Sequence, residues 1–257
     1  MSLKNKLEKR ELTIGSWITI GHTVVAEIMA RSGYDWLTVD MEHSAITLDI
    51  TQELIRVIEL CGVPPLVRVG ENEPTIIKRV MDAGAHGVIV PMVNTREDAE
   101  RAVGSVKYPS SGFRGVGLAR AQKYGADFEG YKKWNETQSI VIVQIEHIRA
   151  VENMEEILRV PDVDGYIVGP YDLSGSLGVP GQFEHPEMLA ALDRIKAVSQ
   201  ANNALAGFHV IPPATKSFQD KVAEGYRFIA HSLDILILGE RCRTLISAAK
   251  SVKRKDP

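Results

Sequence analysis

The amino-acid sequence predicts a single (β/α)8 TIM barrel over residues 1–257, on three observations. Short aliphatic and β-branched runs recur eight times, helix-periodic stretches alternate with them, and no Pro-, Gly- or Ser-rich linker divides the chain. Strands that are almost continuously apolar need burial on both faces, which is the signature of a parallel sheet covered by helices. Eight such units in about 250 residues match the size of a closed barrel.

The strands are read in order at 13–18 (TIGSWI), 36–40 (WLTVD), 65–69 (PLVRV), 87–91 (GVIVP), 139–146 (SIVIVQIE), 165–169 (GYIVG), 205–210 (LAGFHV) and 227–231 (RFIAH). Helical patterns fall at 22–33, 48–62, 73–84, 95–106, 150–160, 185–203, 214–225 and 233–252, where apolar residues recur three and four apart. Several end at a glycine, the residue that tolerates the left-handed conformation just past a helix. The longest irregular stretch, 108–138, lies between the fourth and fifth strands and is read as an extended βα loop. Its RGVGLAR lacks the third glycine and the preceding strand of a dinucleotide fingerprint.

Composition excludes several classes of function. A net charge of -3 gives no basic footprint for nucleic acid, and the one basic run, the tail KSVKRKDP, is read as a solvated end. Cys61 and Cys242 stand far apart and outside any zinc-ligand spacing. The N-terminal segment lacks the apolar centre of a signal peptide, and no apolar run reaches membrane-spanning length. The expectation is a cytoplasmic protein with no membrane association.

In a barrel the C-terminal ends of all strands share one face, and active sites form there. Asp40, Glu42 and His43 follow the second strand, Arg68 ends the third, Gln144 and Glu146 close the fifth, and Asp172 follows the sixth. Glu146 and Asp172 make a hard, oxygen-rich pair suited to Mg²⁺ or Mn²⁺, although Asp172 is also placed to cap the helix after it. With a guanidinium to meet a developing enolate and an imidazole to move a proton, the set describes enolate chemistry on a 2-oxo acid. Asp40, three residues before His43, is expected to orient its ring. Lys78, Lys196 and Lys221 sit in helical patterns, so no strand-end lysine offers a Schiff base. His22, His86, His147 and His231 read as structural, and His209 as pocket lining.

The motifs VDMEHS, LVRV, MDAGAHGVIVPMV, GFRGVG, VQIE and VDGYIVGPYDLSGSLG, spread from about Gly15 to Leu238, resemble the class II pyruvate aldolases of the HpcH/HpaI family. The resemblance implies a divalent cation (Mg²⁺, Mn²⁺ or Co²⁺) on Glu146 and Asp172, with Gln144 and Arg68 beside bound pyruvate. It implies that the main chain around Gly169, Pro170 and Tyr171 holds the pyruvate carboxylate and that an Asp40–His43 pair serves as acid and base. It further implies that Asp82 reaches a neighbouring subunit's site in a homohexamer whose last helix is exchanged between barrels. The small-molecule partners implied are a 4-hydroxy-2-oxo acid and an aldehyde. Relatives that are citrate synthase-like or macrophomate synthase-like, or that decarboxylate oxaloacetate, would use the same enolate. Tyr171 and the turn EHIRAVEN depart from the family's usual residues and bear on the choice of aldehyde.

Overall fold

The computed structural model describes residues 1–253; of the basic tail, Arg254 to Pro257 lie outside the described residues. Eight strands, β1 (Thr13–Ile18), β2 (Trp36–Asp40), β3 (Pro65–Arg68), β4 (Gly87–Val90), β5 (Ile140–Ile145), β6 (Gly165–Val168), β7 (Ala206–Val210) and β8 (Phe228–Leu233), close into a barrel in sequence order. Every neighbouring pair is parallel. The sequence-predicted (β/α)8 barrel is the observed fold.

Because side chains alternate across a strand, the apolar runs feed two separate cores. Outward residues such as Val39, Val67, Val88, Val143 and Val168 pack against the surrounding helices. Inward residues, among them Trp17, Trp36, Leu66, Ile89, Ile142, Ile167 and Phe228, fill the barrel itself. Trp36 stacks on Phe228 at 4.1 Å between ring centroids and 7° between planes. That placement requires Gly15: a Cβ there would lie 2.1 Å from Trp36 Cδ2.

The end of the barrel where the strands begin is closed by a helix the sequence reading did not assign, Leu3–Glu8. It inserts Leu3 and Leu7 into the inner core. Its buried Lys4 donates to Asp164 Oδ1 at 2.5 Å and to the Ser139 carbonyl at 3.2 Å, so the charge enters the protein already paired. At the opposite end, Asp234 accepts from the Thr19 N–H (2.8 Å), the Thr19 hydroxyl (2.6 Å) and the Ile20 N–H (2.8 Å), fastening the end of β8 to the loop after β1.

The stretch 108–138 is not a βα loop. Helix Arg96–Val106 forms directly after β4, started by a capping box between Thr95 and Asp98. The long stretch therefore belongs to the return toward β5. It carries a 3-10 turn, Arg120–Gly125, and helix Phe128–Gln138. It packs at the closed end, where Arg114 donates to Asp82 Oδ1 at 2.5 Å and to the Tyr131 hydroxyl at 2.9 Å. The last helix, Asp234–Lys253, exposes Ile235, Ile237, Leu238, Leu245, Ile246 and Val252. None of the described helices is long and apolar enough to cross a membrane.

Replacing Gly15 by alanine forces a methyl group into a ring already pinned by Phe228. Gly15→Ala is expected to lower the unfolding free energy by about 1–3 kcal/mol, the usual range for overpacking. Urea denaturation measures it, and an unchanged midpoint would show that Trp36 has room to move.

Candidate active site

Register brings the first pair together, since Asp40 and Arg68 are Cα partners across β2 and β3. Arg68 donates from Nε to Asp40 Oδ1 at 2.9 Å and from Nη2 to Oδ2 at 2.7 Å. The guanidinium lies 4.4 Å from the Trp17 ring centroid. Trp17, near the C-terminal end of β1, was not singled out in the sequence; its inward alternation was the signal that placed it there.

Asp40 Oδ1 also accepts the main-chain N–H groups of Glu42 (3.0 Å) and His43 (3.3 Å), which folds the turn after β2. Burial opposes ionisation of Asp40, but Arg68 and these N–H groups outweigh it and hold its carboxyl below the usual range. The expectation that Asp40 orients the His43 ring is corrected here: Asp40 grips the main chain of His43 and spends its oxygens on Arg68. The His43 side chain is 61% exposed, and its Nε2 is 3.8 Å from Glu42 Oε2. Glu42 is therefore the carboxylate beside the imidazole. Its Oε2 also lies 3.3 Å from Arg68 Nε. Burial, reinforced by the negative charges of Glu146, Asp40 and Asp172 and opposed by Arg68, pushes Glu42 up to about 7.

Glu146, just past β5, is buried. The Met92 N–H donates to its Oε1 at 2.7 Å, and the Gln144 amide donates to its Oε2. Burial raises the Glu146 carboxyl above its usual range, partly offset by those donors, while Asp172 raises it further. Met92 has a left-handed φ of 52° and contributes through its backbone, so no side-chain signal could have announced it. Gly169 leaves room for this carboxylate: a Cβ there would stand 2.8 Å from Glu146 Oε2. Asp172 sits in the first turn of helix Pro170–Ser176, with Gly169 as N-cap.

The Gly169 N–H is already used, donating to the Ile145 carbonyl at 3.2 Å, and Pro170 has no N–H. The amides left to meet a carboxylate are those of Tyr171 and Asp172, at the start of the helix. Tyr171 is exposed and packs edge-on against Phe183 at 4.9 Å. Asp82 lies at the end of helix Pro74–Asp82, away from these residues within the chain, paired to Arg114. Of the remaining histidines, His22 and His147 cap helices, and His231 packs on Phe218.

Glu146 and Asp172 fit a hard divalent cation. One is buried and the other exposed, they repel each other, and both are oxygen donors at one rim. Among the described residues no group of three or more His, Cys, Asp or Glu side chains has metal-binding geometry. A cation on this pair would therefore draw its other donors from water and substrate.

Residues 13–238 match the family described as HpcH/HpaI aldolase/citrate lyase. A 2-keto-3-deoxy-L-rhamnonate aldolase of Salmonella typhi is 36% identical over 256 residues, covering 97% of this chain and 93% of the relative. The crystal structure of an HpcH/HpaI aldolase/citrate lyase family protein from Burkholderia cenocepacia J2315 superposes with a TM-score of 0.91 at 34% identity, covering 96% of this chain and 98% of the other. That of the citrate synthase SbnG superposes with a TM-score of 0.84 at 28% identity, covering 99% and 98%.

Glu42 sets a pH dependence whose sign follows from its shift. With an ordinary value of 4.5 and a folded value of about 7, the native state holds this proton more tightly than the unfolded chain. In protein freed of metal by chelator, Glu42 then lowers stability progressively as pH rises through that window. Glu42→Gln is expected to flatten the decline, read as urea midpoints at about pH 5 and about pH 8. Identical pH dependence in the two proteins would show that Glu42 ionises freely.

Proposed function

The chain belongs to the HpcH/HpaI aldolase/citrate lyase family and is a carbon–carbon lyase, and from that premise we propose that it reversibly cleaves a 4-hydroxy-2-oxo acid to pyruvate and an aldehyde with the help of a divalent cation. The observation that carries this reading is a charge imbalance. Arg68 is the guanidinium that faces Asp40, Glu42 and Glu146, and Asp172 adds a fourth carboxylate. A rim with this excess of negative charge suits a cation on Glu146 and Asp172, the two acids that Arg68 does not bind directly.

A bound Mg²⁺, Mn²⁺ or Co²⁺ supplies a Lewis acid that polarises the 2-oxo group. The free N–H groups of Tyr171 and Asp172 receive the substrate carboxylate, and Gln144 lies beside it. His43, with Glu42 next to its ring, takes the proton of the 4-hydroxyl. The C3–C4 bond breaks, the aldehyde leaves, and the electron pair of that bond stays with C3 as the pyruvate enolate. Arg68, held by Asp40 and by the Trp17 face, stabilises the negative charge on that enolate. Return of the proton held by His43 to C3, directly or through water, then completes pyruvate and restores the neutral imidazole. The substrate we assign is a 2-keto-3-deoxy sugar acid, supported by the similarity to the Salmonella relative. The similarity to a citrate synthase supports a second reading, in which the same enolate attacks a different electrophile.

The exposed apolar residues of the last helix support a homo-oligomer, and the family resemblance is what suggests a hexamer in which that helix is exchanged between paired barrels.

Four outcomes test these readings. Chelation should abolish formation of pyruvate from a panel of 4-hydroxy-2-oxo acids and Mn²⁺ should restore it, while Glu146→Gln and Asp172→Asn should each lose Mn²⁺ affinity in a direct titration. His43→Ala should lower kcat by roughly 10²–10⁴, the scale of lost acid–base catalysis, and leave pyruvate affinity intact. Arg68→Lys, which keeps the charge and loses the two-pronged grip on Asp40, should raise KM as well. Pyruvate formation that survives exhaustive chelation rules out the metal, and absence of pyruvate from the whole panel favours the synthase reading. Light scattering at micromolar concentration should give a multiple of 28.3 kDa, and a monomer would rule out helix exchange.

A further inference from the structure

The interior of the barrel differs from one side to the other. Leu66, Ile89, Ile142 and Ile167 fill it along β3, β4, β5 and β6. Across from them, three inward side chains carry polar groups. Trp17 on β1 belongs to the inner core. Thr38 lies between Leu37 and Val39, and His209 between Phe208 and Val210; those four flanking side chains face the outer core, so strand alternation turns Thr38 and His209 inward. Strands β7, β8, β1 and β2 are consecutive around the closed barrel, which makes the three residues neighbours on one wall. Thr38 and Trp17 are Cα partners, and the ring centroids of Trp17 and His209 are 5.4 Å apart.

Trp17 Nε1, Thr38 Oγ1 and His209 Nε2 are all withdrawn from solvent, and none closes a hydrogen bond with the described residues. Burying a polar group in that condition is costly, and folded proteins avoid it. The deeper indole in the same barrel shows the usual solution, since Trp36 Nε1 donates to Thr13 Oγ1 at 3.3 Å. Three such groups gathered on one wall point to a partner they share. There is room for a small one: β8, the strand between the imidazole and the indole, places Ala230 level with His209 and offers only a methyl group there.

The chemistry of the three groups selects that partner. The indole N–H can only donate, whereas a hydroxyl and a neutral imidazole each donate and accept. Burial and the positive charge of Arg68 push His209 down to about 3, which keeps its ring neutral. A cation would be repelled by the indole N–H. An anion would need uncompensated positive charge, but the guanidinium 4.4 Å from the Trp17 ring is already bound through two hydrogen bonds to Asp40. Water meets every requirement: it accepts from the indole, adapts to either tautomer of the imidazole, and is stable in a buried site with two to four polar partners.

We propose that this wall is an internal hydration site, in which one ordered water accepts a hydrogen bond from Trp17 Nε1 and bridges it to Thr38 Oγ1 and His209 Nε2. The indole that supports Arg68 is then held at its N–H edge as well as by packing. The site is independent of which reaction the rim above it performs.

A high-resolution crystal structure of the native protein tests this directly. A well-ordered solvent peak should lie within hydrogen-bond distance of Trp17 Nε1, Thr38 Oγ1 and His209 Nε2; no peak, or one that misses any of the three, overturns the proposal. Crystals soaked in bromide and measured at the bromine absorption edge should show no anomalous signal there, and a signal would make the site an anion site. The double variant Thr38→Val/His209→Leu keeps apolar side chains of similar bulk and leaves the indole as the sole remaining member of the three. Its crystals should lose the peak, and a peak retained in place would show that other groups hold the water. If the double variant fails to fold, the native structure decides alone.

Discussion

The ion pair between Asp40 and Arg68 organises the open end of the barrel. Both side chains are almost withdrawn from water, at 2% and 12% exposure, and removing either partner of such a pair typically costs about 3–5 kcal/mol because the other is left charged and buried. The pair is also geometrically complete. Two hydrogen bonds fix the guanidinium plane, Trp17 supports one face of it, and the remaining capacity of Asp40 goes to the N–H groups of the turn that carries Glu42 and His43. One carboxylate thus sets both the orientation of the positive group and the path of the loop bearing the exposed imidazole.

That arrangement explains why the acids divide into two classes. Asp40 is kept ionised by its partners, whereas Glu42 is raised by burial and by the charges of Glu146, Asp40 and Asp172, and Glu146 by burial and the charge of Asp172. Neighbouring carboxyls with separated proton affinities are a recurring feature of sites that transfer protons beside a charged group. Here the separation follows from which acid the guanidinium reaches first, and β2–β3 register decides that.

Much of this was legible in the sequence, and the parts that were not share a physical reason. The eight strands could be read because burial on both faces leaves an apolar run, and the rim residues because strand ends in a barrel converge. Helix Leu3–Glu8 escaped because LKNKLE has only two apolar positions, and its lysine is buried by pairing with Asp164, 160 residues away. The stretch 108–138 was placed on the wrong side of the barrel because the capped helix before it was counted as part of the unit while the return was taken for its loop. The expectation that Asp40 orients the His43 ring came from linear spacing, which does not reveal that Arg68 claims both Asp40 oxygens. Met92 acts through an N–H group, which every residue but proline possesses, and Trp17 looked like ordinary core.

The clasp at Asp234 has a consequence for how the chain folds. Its bonds to Thr19 and Ile20 join residues separated by 215 and 214 positions, across the seam where the last strand meets the first. Contacts of such long sequence separation bear the greatest loop-closure entropy and are rewarded late. Barrel closure is therefore the late step, and Asp234 contributes to the finished structure more than to the barrier that precedes it. Removing its carboxylate should open the seam faster while leaving the rate of assembly nearly as it was, which makes this side chain a determinant of the lifetime of the folded protein.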